Sequence, residues 1–451
     1  MSAVIQTNQP VATSPLATGG ADRVIVFDGE RQATLAAFLA QVRGLAAALP
    51  PGRHAINLCE DRYRFLVAFC AVAVRGQTTL LPPSRAPAVI ADELRRHGDC
   101  YCLGDGELVD PPPHYWRLPA ILPELPGDAP CVEDDALVAI GFTSGSTGEP
   151  KPNPKTWQGF RTSSAQNLAA LGDLWPAGTQ PQLVATVPPQ HMYGMEMSVL
   201  LPLLGEVAIH AARPFFPEDI ARALRDAHAP RVLVTTPVHL RALVESSVEL
   251  PSMAGIVSAT APLSATLASA AESRFGCEVR EVFGSTETCV IARRRTACEE
   301  AWTPLPGVHV QPQPDGSLVH ARHLPAPVAL ADLVEATPDG RFILRGRQAD
   351  LLEIAGKRAS LGDLTRQLQA VPGVRDGVVF QLDACPTRGV GRIAALAVAD
   401  IDEASILDVL RRGIDPVFLP RPLRRVSALP RNETGKLPRA ALLSLLQGDV
   451  Q

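Results

Sequence analysis

Phe142-Thr-Ser-Gly-Ser-Thr-Gly-Glu-Pro-Lys151 is the stretch whose reading decides the fold. It follows the apolar run Ala136-Leu-Val-Ala-Ile140, which reads as a buried strand. Thr143, Ser144, Ser146 and Thr147 bring hydroxyls, and Gly145 and Gly148 sit among them. Glycine admits positive φ and close backbone approach, so successive N–H groups can turn inward and form an anion-binding concavity. Hydroxyls add donors that reorient at little cost. Gly-Lys-Ser/Thr is absent, and Pro150, Pro152 and Pro154 stand where that nucleotide motif would open a helix. The loop is therefore a phosphate cradle of another kind. A flexible Gly/Ser linker shares its composition, but Thr, Pro and Lys at fixed places after a strand set this one apart.

Outward from the loop, strand and helix signals alternate. On the N-terminal side, Leu35, Phe38, Leu39, Val42, Leu45 and Ala46 recur at helical spacing. His54-Ala-Ile-Asn-Leu58 reads as a strand, Tyr63 to Val74 as an apolar helix, and Thr78-Thr-Leu-Leu81 as a second strand. On the C-terminal side, Leu183-Val-Ala-Thr-Val187 runs into Pro188-Pro-Gln-His-Met-Tyr-Gly194, and a helix-like stretch covers Met197 to Leu204. Strand signals return at Val232-Leu-Val-Thr235 and at Gly255-Ile-Val-Ser258. Pro262 suits the first turn of a helix through Phe275. Val279-Arg-Glu-Val282 then leads to Phe283-Gly-Ser-Thr-Glu287. Such alternation predicts parallel sheets covered by helices, with ligands beyond the carboxyl ends of strands. From about 303 to 345 Pro and Gly recur with short β-like pieces, and residues 345–350 read as a linker. About 100 residues remain after it, enough for a small α+β domain. The expected architecture is α/β: a large N-terminal domain over 1–346, with 1–22 a loose arm, and a small mobile α+β domain over 347–451.

Hydrophobic residues make up 46% and charged residues 20% of the 451, which supports buried cores and excludes general disorder. A formal charge of −5 gives no bias toward polyanions, and Arg293-Arg-Arg295 is no basic face, so no nucleic-acid role is expected. The nine cysteines show no Cys-x-x-Cys pair or zinc spacing and read as reduced thiols of a cytoplasmic protein. Residues 1–22 show no signal peptide, and the longest apolar run, Phe65 to Val74, is too short for a membrane span.

Thr143-Ser-Gly-Ser-Thr-Gly-x-Pro-Lys151 resembles the phosphate-binding signature of the adenylate-forming superfamily: acyl- and aryl-CoA synthetases, peptide-synthetase adenylation domains and luciferases. Further segments follow in family order. Phe283-Gly-Ser-Thr-Glu287 is similar to the aromatic-Gly-x-Thr-Glu motif. The resemblance implies that Phe283 stacks on adenine, that Gly284 and Ser285 let backbone approach, that Thr286 bonds phosphate and that Glu287 binds Mg²⁺. Asp332 matches the acidic position that receives the ribose hydroxyls, though Ala331 precedes it where the family has Gly. Gly346-Arg-Gln-Ala-Asp350 resembles the hinge, with Arg347 on ribose or phosphate. The usual hinge residue is Ala349 here, followed by Asp350, and either could serve. Leu429 to Arg439 matches the terminal Gly-Lys motif, whose Lys436 implies the adenylation cation. His191 resembles the residue beside the acyl pocket; Thr260 and Ala261 would wall adenine or acyl group, and Lys151 would sit near the β- or γ-phosphate.

The resemblance implies ATP and Mg²⁺ as cofactors and two half-reactions. A carboxylic acid attacks ATP to give acyl-AMP and pyrophosphate; a thiol of CoA, or of phosphopantetheine on an acyl carrier protein, then displaces AMP. The Gln-His-Met-Tyr-Gly-Met-Glu stretch resembles ligases of aryl-polyene and xanthomonadin-type pigments, which implies a small aromatic acid such as a hydroxybenzoate. A fatty acid is the alternative substrate, and a catalytically inactive nucleotide- or acyl-binding relative is the alternative class.

Overall fold

The computed structural model describes residues 12–144, 150–347, 351–354, 357–382, 393–431 and 437–448. Two large sheets carry most of them. In the six-stranded sheet, His54–Asn57 pairs in parallel with Thr78–Leu81 on one side and Cys100–Gly104 on the other. The helix Arg62–Val74 is the first crossover. Asp61 caps it by accepting from Arg64 N at 2.8 Å, and its side chains from Phe65 to Ala73 are all buried. A helix apolar on every side belongs to the interior, and this one lies in a core shared by both sheets, with Leu81 and Leu103 from one and Leu183, Val234 and Val257 from the other.

The nine-stranded sheet runs from Thr303–Pro304 through Cys289–Arg294, Glu278–Ser285, Gly255–Ser258, Arg231–Thr235, Gln182–Ala185, Ala208–His210 and Val24–Phe27 to Gln32–Thr34. Its interior pairings, from Glu278–Ser285 to Val24–Phe27, are parallel, and the outer ones antiparallel. The alternating helices and parallel strands expected from the sequence are thus present, distributed over two large sheets.

Several local expectations change. The described part of the expected loose arm is packed: Thr13–Pro15 pairs antiparallel with Cys131–Glu133, and Leu16 is fully buried in the main core. The proline-rich stretch after the loop is a strand, Pro150–Thr156, paired antiparallel with Leu137–Ser144 at the edge of the six-stranded sheet. Prolines at every second position leave an edge strand's outward positions without N–H donors, which the ladder does not need and which discourage further pairing. Residues 345–347 are not linker but the end of the strand Phe342–Arg347. Pro262 lies outside its helix: Ala265–Phe275 is capped by Ser264, whose hydroxyl accepts from Leu267 N. The helix expected from Met197 starts at Met192 and contains a π-helical turn, Glu196–Leu200. Pro202 in the next turn cannot donate to the helix ladder, and the wider turn accommodates that loss.

The C-terminal part is α+β. Val374–Gln381, Ile393–Ala399 and Leu423–Arg425 form a three-stranded sheet. The helices Leu361–Gln369 and Glu403–Gly413 pack on it through Leu364, Leu368, Ile406 and Leu410. Arg439–Gln447 adds Leu442 and Leu446 beside Phe380 and Leu396. No helix among the described residues is long and apolar enough to cross a membrane.

Candidate active site

Two hairpins meet where the sequence places its chemistry. The first joins Leu137–Ser144 to Pro150–Thr156, and the phosphate loop is its tip. Thr143 is half-buried and within 3.5 Å of Asn153 Nδ2; Lys151, opposite Thr143 in the ladder, is exposed. Gly145, Ser146, Thr147 and Gly148 lie outside the described residues, as does the side chain of Ser144.

The second hairpin joins Glu278–Ser285 to Cys289–Arg294 and carries Thr286 and Glu287 at its tip. Its turn is tight. Ser285 N donates to Thr288 Oγ1 and Thr288 N to Ser285 Oγ, both at 3.2 Å. Cys289 holds a φ of 60°. Gly284 is required: a Cβ there would stand 2.1 Å from the Cys289 carbonyl oxygen. Phe283 is braced by Trp302 at 5.4 Å and Phe342 at 6.2 Å between ring centroids, and the Arg294 guanidinium lies over Trp302. This rigid aromatic group leaves Phe283 half-buried at the end of its strand.

The hairpins touch. A Cβ on Gly141 would fall 2.6 Å from Thr286 Cγ2 and 3.3 Å from Met192 Cε. Leu81, Gly141, Phe142, Gln190, His191 and Thr286 line one narrow cavity at this contact. The structure therefore brings His191, Thr286 and the base of the phosphate loop together, although they are far apart in sequence. His191 supplies the N-cap position of Met192–Met195. Buried Tyr193 donates from its hydroxyl to the Val257 carbonyl at 3.0 Å and fixes the segment beneath the parallel strands.

Thr260 and Ala261 lie in the turn after Gly255–Ser258, beside the second hairpin because Ser258 pairs with Glu281. Buried Glu281 accepts from Leu263 N at 3.0 Å, from Arg294 Nε at 2.8 Å and from the Thr296 hydroxyl at 2.7 Å, so one carboxylate anchors that turn to the aromatic group. Thr260 is exposed with φ of 80°, unusual for a β-branched residue. Asp332 and Arg347 face each other as partners in the ladder between Asp332–Ala336 and Phe342–Arg347; the Arg347 side chain lies outside the described residues.

Three buried polar residues that the sequence reading assigned no role support this arrangement. Glu196, 2% exposed, accepts from Ser163 Oγ at 2.7 Å, Asn167 Nδ2 at 3.0 Å and Val290 N at 3.0 Å. Burial raises its pKa, against the lowering effect of those hydrogen bonds and of Lys155. A lone acid in the apolar run Met195-Glu-Met-Ser-Val-Leu200 was the available signal for it. Lys155 and His323, both buried, reach the second hairpin's tip. No sequence pattern marks Lys155 or His323.

Mg²⁺ commonly binds through one or two carboxylates, water and substrate phosphates rather than a protein cage. The residues fit that mode. Among the described residues no group of three or more His, Cys, Asp or Glu side chains could hold a metal. The Glu287 carboxylate is half-buried at the hairpin tip and makes no hydrogen bond or ion pair with the described residues.

Lys436, Ala349 and Asp350 lie outside the described residues. Both flanks of Lys436 are tied to the small sheet. Arg431 donates to Asp376 at 3.0 to 3.2 Å, and Arg439–Gln447 buries Leu442. From the large sheet's side, Arg241 reaches the Arg375 carbonyl and stands 4.0 Å from Asp376.

Two parallel sheets with a Gly/Ser hairpin loop and a Thr-Glu turn at their carboxyl ends define an adenylate-forming enzyme. Residues 16–314 match the AMP-binding enzyme family, and the chain belongs to it. It is 30% identical over 314 residues to a 4-coumarate–CoA ligase of Rhodobacter capsulatus, which spans 68% of this chain and 77% of that one. The fold matches the o-succinylbenzoate coenzyme A synthetase MenE of Bacillus subtilis, in complex with ATP and magnesium ion, with a TM-score of 0.80 at 17% identity over 95% and 99% of the two chains. It matches ATP-bound MatB of Rhodopseudomonas palustris with 0.78 at 19% identity over 95% and 96%. The protein is an AMP-forming acid–thiol ligase that uses ATP to activate a carboxylic acid.

Proposed function

We propose that the acid is a small aromatic one, of the hydroxybenzoate type, and that the acceptor is a phosphopantetheine thiol on an acyl carrier protein or on CoA. The observation that carries the reading is the shared cavity of His191, Thr286 and Gly141, where an acid's carboxylate would lie beside the phosphate loop. The R. capsulatus relative's name gives an aromatic acid, and MenE's gives a succinylbenzoate.

Thr143, Ser144 and the tip residues Gly145, Ser146, Thr147 and Gly148 cradle the triphosphate with N–H and hydroxyl donors, and Lys151 neutralises its distal end. Phe283 with Gly284 and Ser285 receives adenine against Thr260 and Ala261. Asp332 and Arg347 hold the ribose. Thr286 bonds the α-phosphate, and Glu287 would hold Mg²⁺, which would supply positive charge to screen the phosphates. His191 orients the carboxylate for in-line attack on the α-phosphorus. Lys436 supplies positive charge to the bridging oxygen as pyrophosphate leaves. The two half-reactions need different surroundings, so the part after residue 346 works as a separate domain that turns about 347–350 between them.

Pyrophosphate exchange across a panel of benzoates, cinnamates and medium-chain fatty acids tests the reading. Strongest exchange with a hydroxybenzoate is expected. Preference for a fatty acid overturns the substrate class, and no exchange with any acid overturns the site assignments.

A further inference from the structure

The second hairpin's tip has more holding it than its own turn. Lys155 Nζ donates to the Glu287 carbonyl at 2.7 Å, and His323 Nε2 donates to the Thr288 carbonyl at 2.6 Å. Both residues are 7% exposed. They come from different places: Lys155 from Pro150–Thr156, the strand leaving the phosphate loop, and His323 from the segment after Gly316–Ala321. That segment rests on the start of the helix Trp157–Leu171, where a Cβ on Gly159 would come 3.0 Å from the His323 carbonyl oxygen. Successive carbonyls on the metal-bearing turn are thus each fixed by a buried side chain.

Lys155 is an unusual choice for a purely mechanical tie. A buried ammonium is costly unless paired, and among the described residues no carboxylate forms an ion pair with it. Glu196, the nearby buried acid, already accepts from Ser163, Asn167 and Val290. A positive charge held beside a turn that exposes a carboxylate, one strand from a phosphate loop, faces ligands of opposite sign. His323 is the neutral counterpart: burial holds its pKa below the ordinary histidine value, and its Nδ1 has no hydrogen-bond partner.

We propose that Lys155, supported by His323, is a positioning residue for MgATP that locks the Glu287 turn to the strand leaving the phosphate loop. The proposal rests on Glu287 being the metal-bearing carboxylate. With the lock in place, the strand leaving the phosphate loop and the Glu287 turn are in register before MgATP arrives, so no binding energy is spent in ordering the turn. Without it Glu287 can still bind the metal, but at the cost of immobilising its own backbone.

The test uses full-length Lys155→Met and His323→Gln, with Lys155→Arg as the rescue and Glu287→Gln as the control, each checked for thermal unfolding. Lys155→Met is expected to raise the MgATP KM in pyrophosphate exchange about tenfold and to shift the Mg²⁺ dependence to higher concentration. Transfer from preformed acyl-adenylate to thiol should stay within about threefold of the parent. Lys155→Arg should recover most of the loss, and His323→Gln, whose amide can still donate, should lose less than Lys155→Met. A MgATP KM within twofold of the parent for Lys155→Met, or an equal loss in both half-reactions, overturns the proposal. If Glu287→Gln leaves the Mg²⁺ dependence unchanged, the metal assignment itself fails. A Glu287→Gln that loses Mg²⁺ dependence beside a normal Lys155→Met isolates the failure to the lock.

Discussion

The two hairpins at the candidate site do related work with different construction. The one ending in the phosphate loop leaves the six-stranded sheet at its edge, on a strand with three prolines. The one ending in Thr286 and Glu287 lies inside the nine-stranded sheet, and its tip is closed by Ser285, Thr288, Lys155 and His323. An edge hairpin can adapt around a large anion because few neighbours constrain it. A turn presenting one carboxylate must hold that oxygen in place, and buried donors on its carbonyls do so. On the roles proposed for them, cradling a polyanion and placing a single metal ligand call for different degrees of constraint.

The largest expected effect comes from the cation that neither hairpin supplies. Lys436→Ala should lower adenylation by on the order of 10²- to 10³-fold while transfer from preformed acyl-adenylate to thiol persists. Equal loss in the two half-reactions, measured separately, would count against a role for Lys436 specific to adenylation. Next is the contact between them. Gly141→Val pushes methyl groups against Thr286 and Met192, an overpacking worth about 1–3 kcal/mol. Pyrophosphate exchange should fall about tenfold with a lower unfolding midpoint, and an unchanged exchange rate would show that the hairpins need not be in register.

Two smaller effects concern the floor beneath the hairpins and show as pH dependence. His239 Nδ1 lies 3.1 Å from the hydroxyls of both Thr186 and Thr236, and burial lowers its pKa to about 4. Its folded value lies below the free value of 6.5, so the stability it contributes is present above pH 6.5 and is lost as pH falls through 4. The gap in unfolding midpoint between parent and His239→Asn should therefore shrink from pH 7 to pH 4.5; a constant gap breaks the assignment. Glu196 has the opposite sign. Its folded pKa is raised, so its contribution is full below the free carboxylate value of 4.5 and is lost as pH rises through the folded one. Glu196→Gln places an amide N–H near Val290 N, which shifts the baseline at every pH. The midpoint of Glu196→Gln should nonetheless gain on the parent by a few degrees from pH 5 to pH 8, and a flat difference would mean that the carboxyl does not change charge over that range.

The sheets were legible because burial writes periodicity into the chain: strands such as Thr78–Leu81 and Arg231–Thr235 and the helix Arg62–Val74 are apolar in patterns that only packed alternation explains. Phe283 to Glu287 was legible because its tight turn requires glycine at 284 beside small hydroxylated residues. Nothing local marked Pro150–Thr156 as a strand, because proline is confined to edge strands and whether a strand is at an edge is a property of the sheet. Residues 345–347 likewise became strand through pairing with Asp332–Ala336, which no local pattern encodes.

By itself, then, the sequence determined where most of the strands and helices lie and the family to which the order of its motifs belongs, because each depends on neighbours along the chain. Tertiary structure alone decided that Gly141 touches Thr286, that Glu281 anchors the turn at Leu263, and that Lys155 and His323 meet one turn from separate elements. Such contacts join residues more than a hundred positions apart or on unrelated strands. Their geometry follows from strand order and register, which are settled only when the whole core closes.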